Sequence, residues 1–271
     1  MSMKTSVVWA DGTFASNTAP LMGSLEECAR QAAEMGYDAM SLTVNRPGEL
    51  EAGRVSRVMK EYGLKVSGLA TGRGYTVDGL CLGAAEERTR RAAVERMMAH
   101  MDLCARLEGA KLIVGAIRGW TRDGGGREAY DRLFRASMEE LLERAEPMGV
   151  QLVLEAISKI DSDAYCLVGE TAELIRSFHS PALRLQLDSI HLHTNGEKDF
   201  DGEIRKAGDL IGQVDISDVE RMAPDGKHFD FPRLMEALKS IPYEDYLVFE
   251  YRSQPPENAA KVGLDYIRTL M

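Results

Sequence analysis

Four carboxylates stand at matching places in the sequence, each at or near the end of a short, largely apolar segment: Glu155, Asp188, Asp215 and Glu250. Burying a carboxylate is costly unless hydrogen bonds or an opposite charge compensate it. A divalent metal ion compensates several carboxylates at once, because such ions prefer oxygen ligands. The four side chains therefore predict a metal site, and an ion pair with Arg or Lys is the alternative for any one of them.

A metal ion beside carboxylates suits proton transfer next to a carbonyl group. A carbon beside a carbonyl loses its proton only if the developing enolate oxygen is stabilised, and a bound cation supplies that stabilisation. A carboxylate within hydrogen-bond reach then removes the proton. Return of the proton to the other face gives epimerisation, return to the neighbouring carbon gives isomerisation, and loss of a leaving group gives dehydration. The sequence does not choose between these outcomes.

Eight short β-branched or aliphatic segments must position these side chains. The segments are residues 5–9, 39–44, 65–69, 111–115, 151–155, 183–188, 212–216 and 246–250. Helical patterns separate them, such as the apolar spacing of three and four residues from Val94 to Ala105. Glycines that stop a helix directly before the next strand support the alternation: Gly36, Gly63, Gly109 and Gly149. Strands that alternate with helices predict a parallel sheet.

A closed (β/α)8 TIM barrel, formed by residues 1–271 as a single domain, fits this alternation best. Eight strands close a barrel and leave no edge. The alternative is an open doubly wound sheet, but no Gly-x-Gly-x-x-Gly pattern opens a helix after the first strand. Barrel enzymes place their active sites where the strands end. The four carboxylates would therefore meet at one mouth of the barrel.

Charge and hydropathy exclude several classes of partner. The net charge is −10 and the isoelectric point is about 5.1, which disfavours nucleic acids and anionic membranes. No apolar run approaches the ~20 residues that span a bilayer, and the N-terminus lacks the pattern of a signal peptide. We therefore expect a cytoplasmic protein with no nucleic-acid or membrane partner. Its four cysteines are widely spaced and predict no disulfides.

The segments around the last four strand ends resemble the xylose-isomerase-like TIM barrel superfamily of sugar isomerases and epimerases. They are Leu152-Val153-Leu154-Glu155, Leu187-Asp188-Ser189-Ile190-His191, Gln213-Val214-Asp215 with Arg221 six residues later, and Val248-Phe249-Glu250-Tyr251. The group includes ketose 3-epimerases, hydroxypyruvate isomerases, inosose dehydratases and dehydroshikimate dehydratases.

The resemblance implies a role for each of these side chains. Glu155, Asp188, Asp215 and Glu250 would hold the metal, and Glu155 and Glu250 would also act as catalytic base and acid on opposite faces of the substrate. The implied cofactor is a divalent metal, for which Mn²⁺ is expected and Mg²⁺ or Co²⁺ are alternatives. The implied partner is a small carbohydrate substrate. Barrels of this group often pair, which implies a homo-oligomer, either a dimer or a tetramer.

Two departures from the family pattern bear on the chemistry. Asp215 stands where the family has His or Gln, which gives a fourth carboxylate and a harder, all-oxygen site. His191 or Arg221 could offset this extra charge, Asp215 could carry a proton, or metal binding could be lost. After Glu155, the segment Ala156-Ile157-Ser158-Lys159-Ile160-Asp161 replaces the Pro-x-Asn-Arg-x-Glu of ketose epimerases.

We therefore predict a metal-dependent isomerase or epimerase of a keto sugar or related polyol. One alternative is a metal-dependent lyase, either a dehydratase or an enzyme that cleaves carbon glycosides. The other is a sugar-binding barrel without catalytic activity.

Other residues near the predicted strand ends are candidates for substrate contacts. The predicted substrate-binding set is His191, Arg221, Trp9, Trp120 and Asp161. Further aromatic and arginine side chains could add a wall for a sugar ring or bind an anionic group: Phe14, Tyr75, Arg73, Arg118 and Arg122. Packing of loops over the barrel is the alternative for the aromatic residues, and solvation is the alternative for the arginines.

Overall fold

The computed structural model describes residues 3–13, 18–71 and 73–271. Nine strands lie within them: β1 (Lys4–Ala10), β2 (Leu21–Met22), β3 (Ala39–Thr43), β4 (Lys65–Ala70), β5 (Lys111–Val114), β6 (Leu152–Glu155), β7 (Leu183–Asp188), β8 (Ile211–Ile216) and β9 (Tyr246–Phe249). All pair in parallel in the order β2-β1-β3-β4-β5-β6-β7-β8-β9, and β1 also pairs with β9. Because β2 is only a two-residue strand beside the end of β1, the other eight strands form the predicted (β/α)8 barrel, which is confirmed.

Ten α-helices connect these strands in the part of the chain that the structure describes. They are α1 (Leu25–Met35), α2 (Ala52–Tyr62), α3 (Arg73–Thr76), α4 (Glu87–Cys104), α5 (Arg127–Met148), α6 (Val168–Phe178), α7 (Ser189–Asn195), α8 (Phe200–Ala207), α9 (Phe231–Lys239) and α10 (Ala259–Arg268). Gly36, Gly63 and Gly149 end α1, α2 and α5 in the left-handed conformation, as predicted. The predicted stop at Gly109 is wrong, because α4 already ends at Cys104, where a tight turn follows in which Leu107 N donates to Cys104 O over 2.9 Å.

Apolar side chains fill the layer between the strands and the helices. Val94, Met97, Met101 and Cys104 are buried along one face of α4, as their spacing predicts. All four cysteines are buried and free. None of the described helices combines the length and the apolar character that crossing a membrane requires.

The register of the last four strands brings the predicted site residues together. Asp188 on β7 pairs with Asp215 on β8, and Glu155 on β6 pairs with Gln186 on β7. Glu250 follows β9, and its N–H donates to Ile216 O over 3.0 Å. The four carboxylates therefore lie at the same mouth of the barrel, where the carboxyl ends of its strands meet.

Candidate active site

A cavity of about 650 Å³ opens at the carboxyl ends of the strands. Glu155, Asp215 and Glu250 line it, together with His191 and Arg221. Asp188 is fully buried in contact with the last two of these residues. The structure thus brings all four predicted carboxylates to one place, together with His191 and Arg221 of the predicted substrate-binding set.

Glu155, Asp188 and His191 form a compact buried cluster, which we call the Glu-Asp-His triad. Each offers one ligand atom, and the three atoms lie within 4.8 Å of one another. His191 Nε2 lies 3.2 Å from Glu155 Oε1 and 3.6 Å from Asp188 Oδ2. Local sequence explains this arrangement, because Asp188 both ends β7 and caps α7 by accepting a hydrogen bond from Ile190 N over 3.0 Å. His191 then falls in the first turn of α7, three residues on, on the same side as Asp188.

Arg221 bridges two of the carboxylates. Its Nη1 donates to Asp188 Oδ2 over 2.8 Å and to Glu250 Oε2 over 2.9 Å. In the short turn that contains Arg221, two residues other than glycine have positive φ values, 60° at Glu220 and 59° at Arg221. Such strained backbone persists only where its surroundings hold it, and here the Arg221 carbonyl accepts a hydrogen bond from Arg252 N over 2.8 Å.

Asp215 lies apart from the triad and is held by two amides. Gln186 Nε2 donates to its Oδ2 and Gln213 Nε2 donates to its Oδ1, both over 2.8 Å. The Asp215 side chain is buried, and no ligand atom of Asp215 or Glu250 joins the triad in the described part of the chain. The closest potential ligands are therefore two carboxylates and an imidazole, whereas the sequence predicted an all-oxygen set. That four-carboxylate ligand set stays a prediction.

The pKa values of these groups follow from burial and from neighbouring charges. Burial and the carboxylates of Glu250, Asp188 and Glu155 raise the pKa of Asp215 well above its ordinary value, which favours a proton on Asp215. Burial also raises the pKa of Glu250 to about 7, although Arg221 opposes the rise.

Within the triad, the pKa shifts of Glu155 and His191 favour the ionised forms of both side chains. Burial alone would raise the pKa of Glu155, but the charge and hydrogen bond of His191 bring it below the ordinary value. Burial alone would lower the pKa of His191, but Asp188 and Glu155 raise it. Glu155 is therefore ionised at neutral pH, and His191 compensates part of its charge.

Arg118 has a structural position that the sequence did not indicate. The expectation that it could bind an anionic group of the substrate is wrong, because its side chain is fully buried and donates only to backbone carbonyls in the described residues. The acceptors are Val114 O at 2.9 Å, Gly115 O and Tyr165 O at 3.1 Å, Ala164 O at 3.3 Å, and Glu155 O. Arg118 therefore fixes the backbone beneath the triad.

The remaining predicted contacts are spread over the mouth of the barrel. Asp161 lines the main cavity, where it accepts a hydrogen bond from Ser158 Oγ. Trp9 lines a neighbouring cavity of about 300 Å³ and donates its Nε1–H to Gly23 O over 3.0 Å. Trp120 lines neither cavity and stacks with Arg122, whose guanidinium carbon lies 4.3 Å from the ring centroid.

The other expected aromatic and arginine contacts have separate positions. Tyr75 donates to Asp123 Oδ2 over 3.0 Å, which makes it a packing residue of the loops. Arg73 lines both cavities. Phe14 lies outside the described residues.

Sequence reasoning did not single out the amides of Gln186 and Gln213 or four isoleucines of the cavity wall. The isoleucines are Ile113, Ile157, Ile160 and Ile190. A signal for the amides was present, because each is a polar residue inside a predicted strand, Gln186 between two leucines and Gln213 beside Val214. No comparable signal marks the isoleucines, since apolar residues near strand ends more often serve the core.

The family model described as xylose isomerase-like TIM barrel matches residues 29–270. The chain belongs to this family. The L-ribulose 3-epimerase of Mesorhizobium japonicum is 25% identical over 240 residues, which cover 88% of this chain and 79% of that protein. The fructoselysine 3-epimerase of Escherichia coli O157:H7 is 25% identical over 265 residues, which cover 91% of this chain and 94% of that protein.

Solved structures share the fold of this xylose isomerase-like barrel. A crystal structure of 3-keto-D-glucoside 4-epimerase from E. coli superimposes with a TM-score of 0.80 at 21% identity. The superposition covers 99% of this chain and 100% of that chain. The family model over residues 29–270 confirms the predicted superfamily. The names of the relatives also confirm the prediction of a sugar isomerase or epimerase.

Proposed function

We propose that this protein epimerises or isomerises a keto sugar by moving a proton on a carbon next to the carbonyl, with a divalent metal held at the Glu-Asp-His triad. The observation that carries the proposal is the buried triad at the mouth of the barrel, with Glu250 beside it in the same cavity. The relatives support the reaction class. Their names include both a free ketose and a ketose joined to lysine, so the family likeness leaves the substrate open.

The triad fits a divalent cation by its chemistry. Ligands must be deprotonated to bind a metal, and the lowered pKa of Glu155 meets that condition. The charge of the cation would compensate Glu155 and Asp188 in place of the protonated imidazole, so His191 would release its proton when the cation binds. Carboxylates suit Mn²⁺ and Mg²⁺, while an imidazole suits transition metals, so we propose Mn²⁺ as the ion that satisfies both. When bound, such an ion supplies positive charge to the carbonyl oxygen of the substrate.

The two glutamates that line the cavity, Glu155 and Glu250, are the acid and base of the proposal. Glu155 ends β6 and Glu250 follows β9, three strands further around the barrel, so they reach the cavity from different sides. Glu155 is ionised and suits the base that takes the proton. Glu250, whose pKa is about 7, changes between its acid and base forms near neutral pH, which suits the group that returns a proton. Arg221 orients Glu250 through their hydrogen bond of 2.9 Å.

Deuterium exchange tests this proposal without knowledge of the product. Ketopentoses, ketohexoses and their conjugates would be incubated with the Mn²⁺-loaded protein in D₂O and followed by NMR. We expect deuterium next to the carbonyl, and we expect Glu155→Gln and Glu250→Gln to reduce the rate at least about 100-fold, in line with the usual contribution of general acid–base catalysis.

Glu220→Gln is the matched control, because Glu220 lines the same cavity but is exposed. It should keep the rate within a few-fold. Exchange at the normal rate in Glu155→Gln or Glu250→Gln would refute the assignment. Absence of exchange with every ketose, in protein that binds no Mn²⁺, would favour a sugar-binding barrel.

A further inference from the structure

Gly115 directly follows β5 and lies beside Glu155 at the end of β6. The two strands pair in parallel with Val114 opposite Leu154, so Gly115 and Glu155 continue the same register as neighbours. Both residues line the main cavity. A glycine at a strand often marks a place where other atoms come close to the backbone, and here the atoms belong to the carboxylate of Glu155.

This carboxylate fills the space that a side chain at residue 115 would take. A Cβ atom at Gly115 would lie 2.6 Å from Glu155 Oε2 and 3.8 Å from the carboxyl carbon of Glu155. Real Cβ atoms essentially never come closer than 3.0 Å to another heavy atom. We call this space the Gly115 notch, and any residue larger than glycine would displace Oε2 from it.

The backbone around the Gly115 notch is held in place. Gly115 O accepts hydrogen bonds from Arg118 N and from Arg118 Nε, both over 3.1 Å. Arg118 Nη2 also donates to Glu155 O. The main chain on both sides of the notch would therefore lose hydrogen bonds if it moved, so the flexible end of the Glu155 side chain is the part that would yield to an added methyl group.

The two oxygens of Glu155 have separate positions as a result. Oε1 lies 3.2 Å from His191 Nε2, within the Glu-Asp-His triad, and Oε2 lies in the Gly115 notch. Both oxygens belong to one planar group, so a displacement of Oε2 would also change the contact between Oε1 and His191. The notch thus determines how the carboxylate faces the triad.

We infer that Gly115 is a positioning residue, whose lack of a side chain sets the orientation of the Glu155 carboxylate for metal binding and proton transfer. The inference rests on the proposed function for the role of Glu155. It adds a requirement at the end of β5, namely that residue 115 be glycine.

Gly115→Ala tests this requirement. Loss of a contact that orients a metal ligand typically lowers metal affinity 10–100-fold, so we expect Mn²⁺ to bind at least about tenfold more weakly in calorimetry. Deuterium exchange into ketoses should slow at least about 100-fold, since a misplacement of about 1 Å can have that effect. Wild-type Mn²⁺ affinity in Gly115→Ala would overturn the inference.

Gly48→Ala is the matched control. Nothing lies within 4 Å of the place that a Cβ at Gly48 would take, and Gly48 lines neither the main cavity nor its neighbour. Mn²⁺ affinity and the exchange rate should both stay close to the wild-type values in this variant.

A double-mutant cycle separates the position of the carboxylate from other effects of alanine at residue 115. Glu155→Asp withdraws the carboxylate from the Gly115 notch by one methylene group. In that background, Gly115→Ala should change Mn²⁺ affinity less than about threefold, because the two substitutions act on the same contact. An equal loss of affinity in both backgrounds would overturn the inference, since the loss would then not depend on the Glu155 carboxylate.

A crystal structure of Gly115→Ala gives a test that needs neither metal nor substrate. We expect Glu155 Oε1 to move away from His191 Nε2, beyond the 3.2 Å that separates them in the wild type. A carboxylate that stays in place while the strand ends move apart would overturn the inference. A displaced carboxylate would uphold it, and a lack of deuterium exchange in the wild type would then count against the proposed function alone.

Discussion

The guanidinium of Arg221 donates to the fully buried carboxylate of Asp188, with 2.8 Å between Nη1 and Oδ2. Two carboxylates depend on this one cation, because Glu250 accepts from the same nitrogen. The pKa of Arg221 is accordingly raised, against the effect of burial, by Asp188 and Glu250. In the protein without metal, Arg221 is thus the main compensation for the negative charge at the mouth of the barrel.

Arg221→Met should lower the free energy of unfolding by about 3 kcal/mol in metal-free protein, because it leaves buried carboxylates without their cation. Urea denaturation measures the loss. Arg205→Met is the control, since Arg205 pairs with Asp201 at the surface and such a pair contributes less than about 1 kcal/mol. Equal losses in the two variants would contradict a special function of Arg221.

Asp215→Asn should retain Mn²⁺ affinity within about threefold, because burial already favours the neutral form of Asp215. The asparagine oxygen can accept from one of Gln186 and Gln213, and its amide can donate to the other once that glutamine turns its side-chain oxygen inward. The raised pKa of Asp215 also determines how stability changes with pH. A raised pKa means that the folded state holds its proton longer than the unfolded state, so wild-type stability falls as pH rises above the ordinary value of 3.8.

The Asp215→Asn variant lacks this decline and should be more stable than the wild type at pH 7. Manganese titration and urea denaturation at pH 5, 7 and 8 check both expectations. A loss of Mn²⁺ affinity by tenfold or more would instead identify Asp215 as an ionised ligand.

Mn²⁺ at a concentration 100 times its dissociation constant should stabilise the wild type by about 2.7 kcal/mol. His191→Ala removes one member of the triad and should lose most of this gain at the same concentration. The exposed His228 provides the control, and His228→Ala should respond as the wild type does. If His191→Ala gained as much stability from Mn²⁺, the triad would not be the metal site.

Glu197 makes the stability of the fold depend on pH, independently of the active site. Its carboxylate accepts from Val168 N at the start of α6, 3.3 Å from each oxygen, and burial raises its pKa from 4.5 to about 7. The folded state therefore binds more protons than the unfolded state between these values, so this contribution to stability is lost as pH rises through about 7.

Glu197→Gln keeps an acceptor for Val168 N and removes the ionised form. We expect the variant to be more stable than the wild type at pH 8 by roughly 1 kcal/mol, a figure reduced for solvent screening because Glu197 is partly exposed. The difference should vanish near pH 4.5. Glu173→Gln, at an exposed position on α6, should show no such dependence in urea denaturation.

The barrel and the place of the site follow from the sequence because they depend on repeating local patterns. Alternation of apolar segments with glycine-terminated helices requires parallel strands, and parallel strands bring Glu155, Asp188, Asp215 and Glu250 to one mouth. Which side chains contact one another within the site depends instead on the conformation of the loops after the strands. The substrate contact of His191 stays a prediction, whereas its contact with the carboxylates, which the first turn of α7 produces, was not predicted.

Other relationships have no local signal at all. The positive φ of Arg221 belongs to a conformation that its residue type disfavours, so the bridge it makes cannot be inferred from spacing. The choice of Gln186 and Gln213 as partners of Asp215 depends on the register between β7 and β8. The single domain, the homo-oligomer and the cytoplasmic location stay predictions.

Arg118 has a consequence for motion at the mouth of the barrel. Its guanidinium joins the ends of β5 and β6 to the backbone at Ala164 and Tyr165, and any opening of these loops would expose carbonyls that have lost their donor. The floor beneath Glu155 is therefore one mechanical unit that opens only when several hydrogen bonds break together. Such a floor keeps the Glu155 carboxylate, the base in the proposed function, aligned while ligands enter and leave above it.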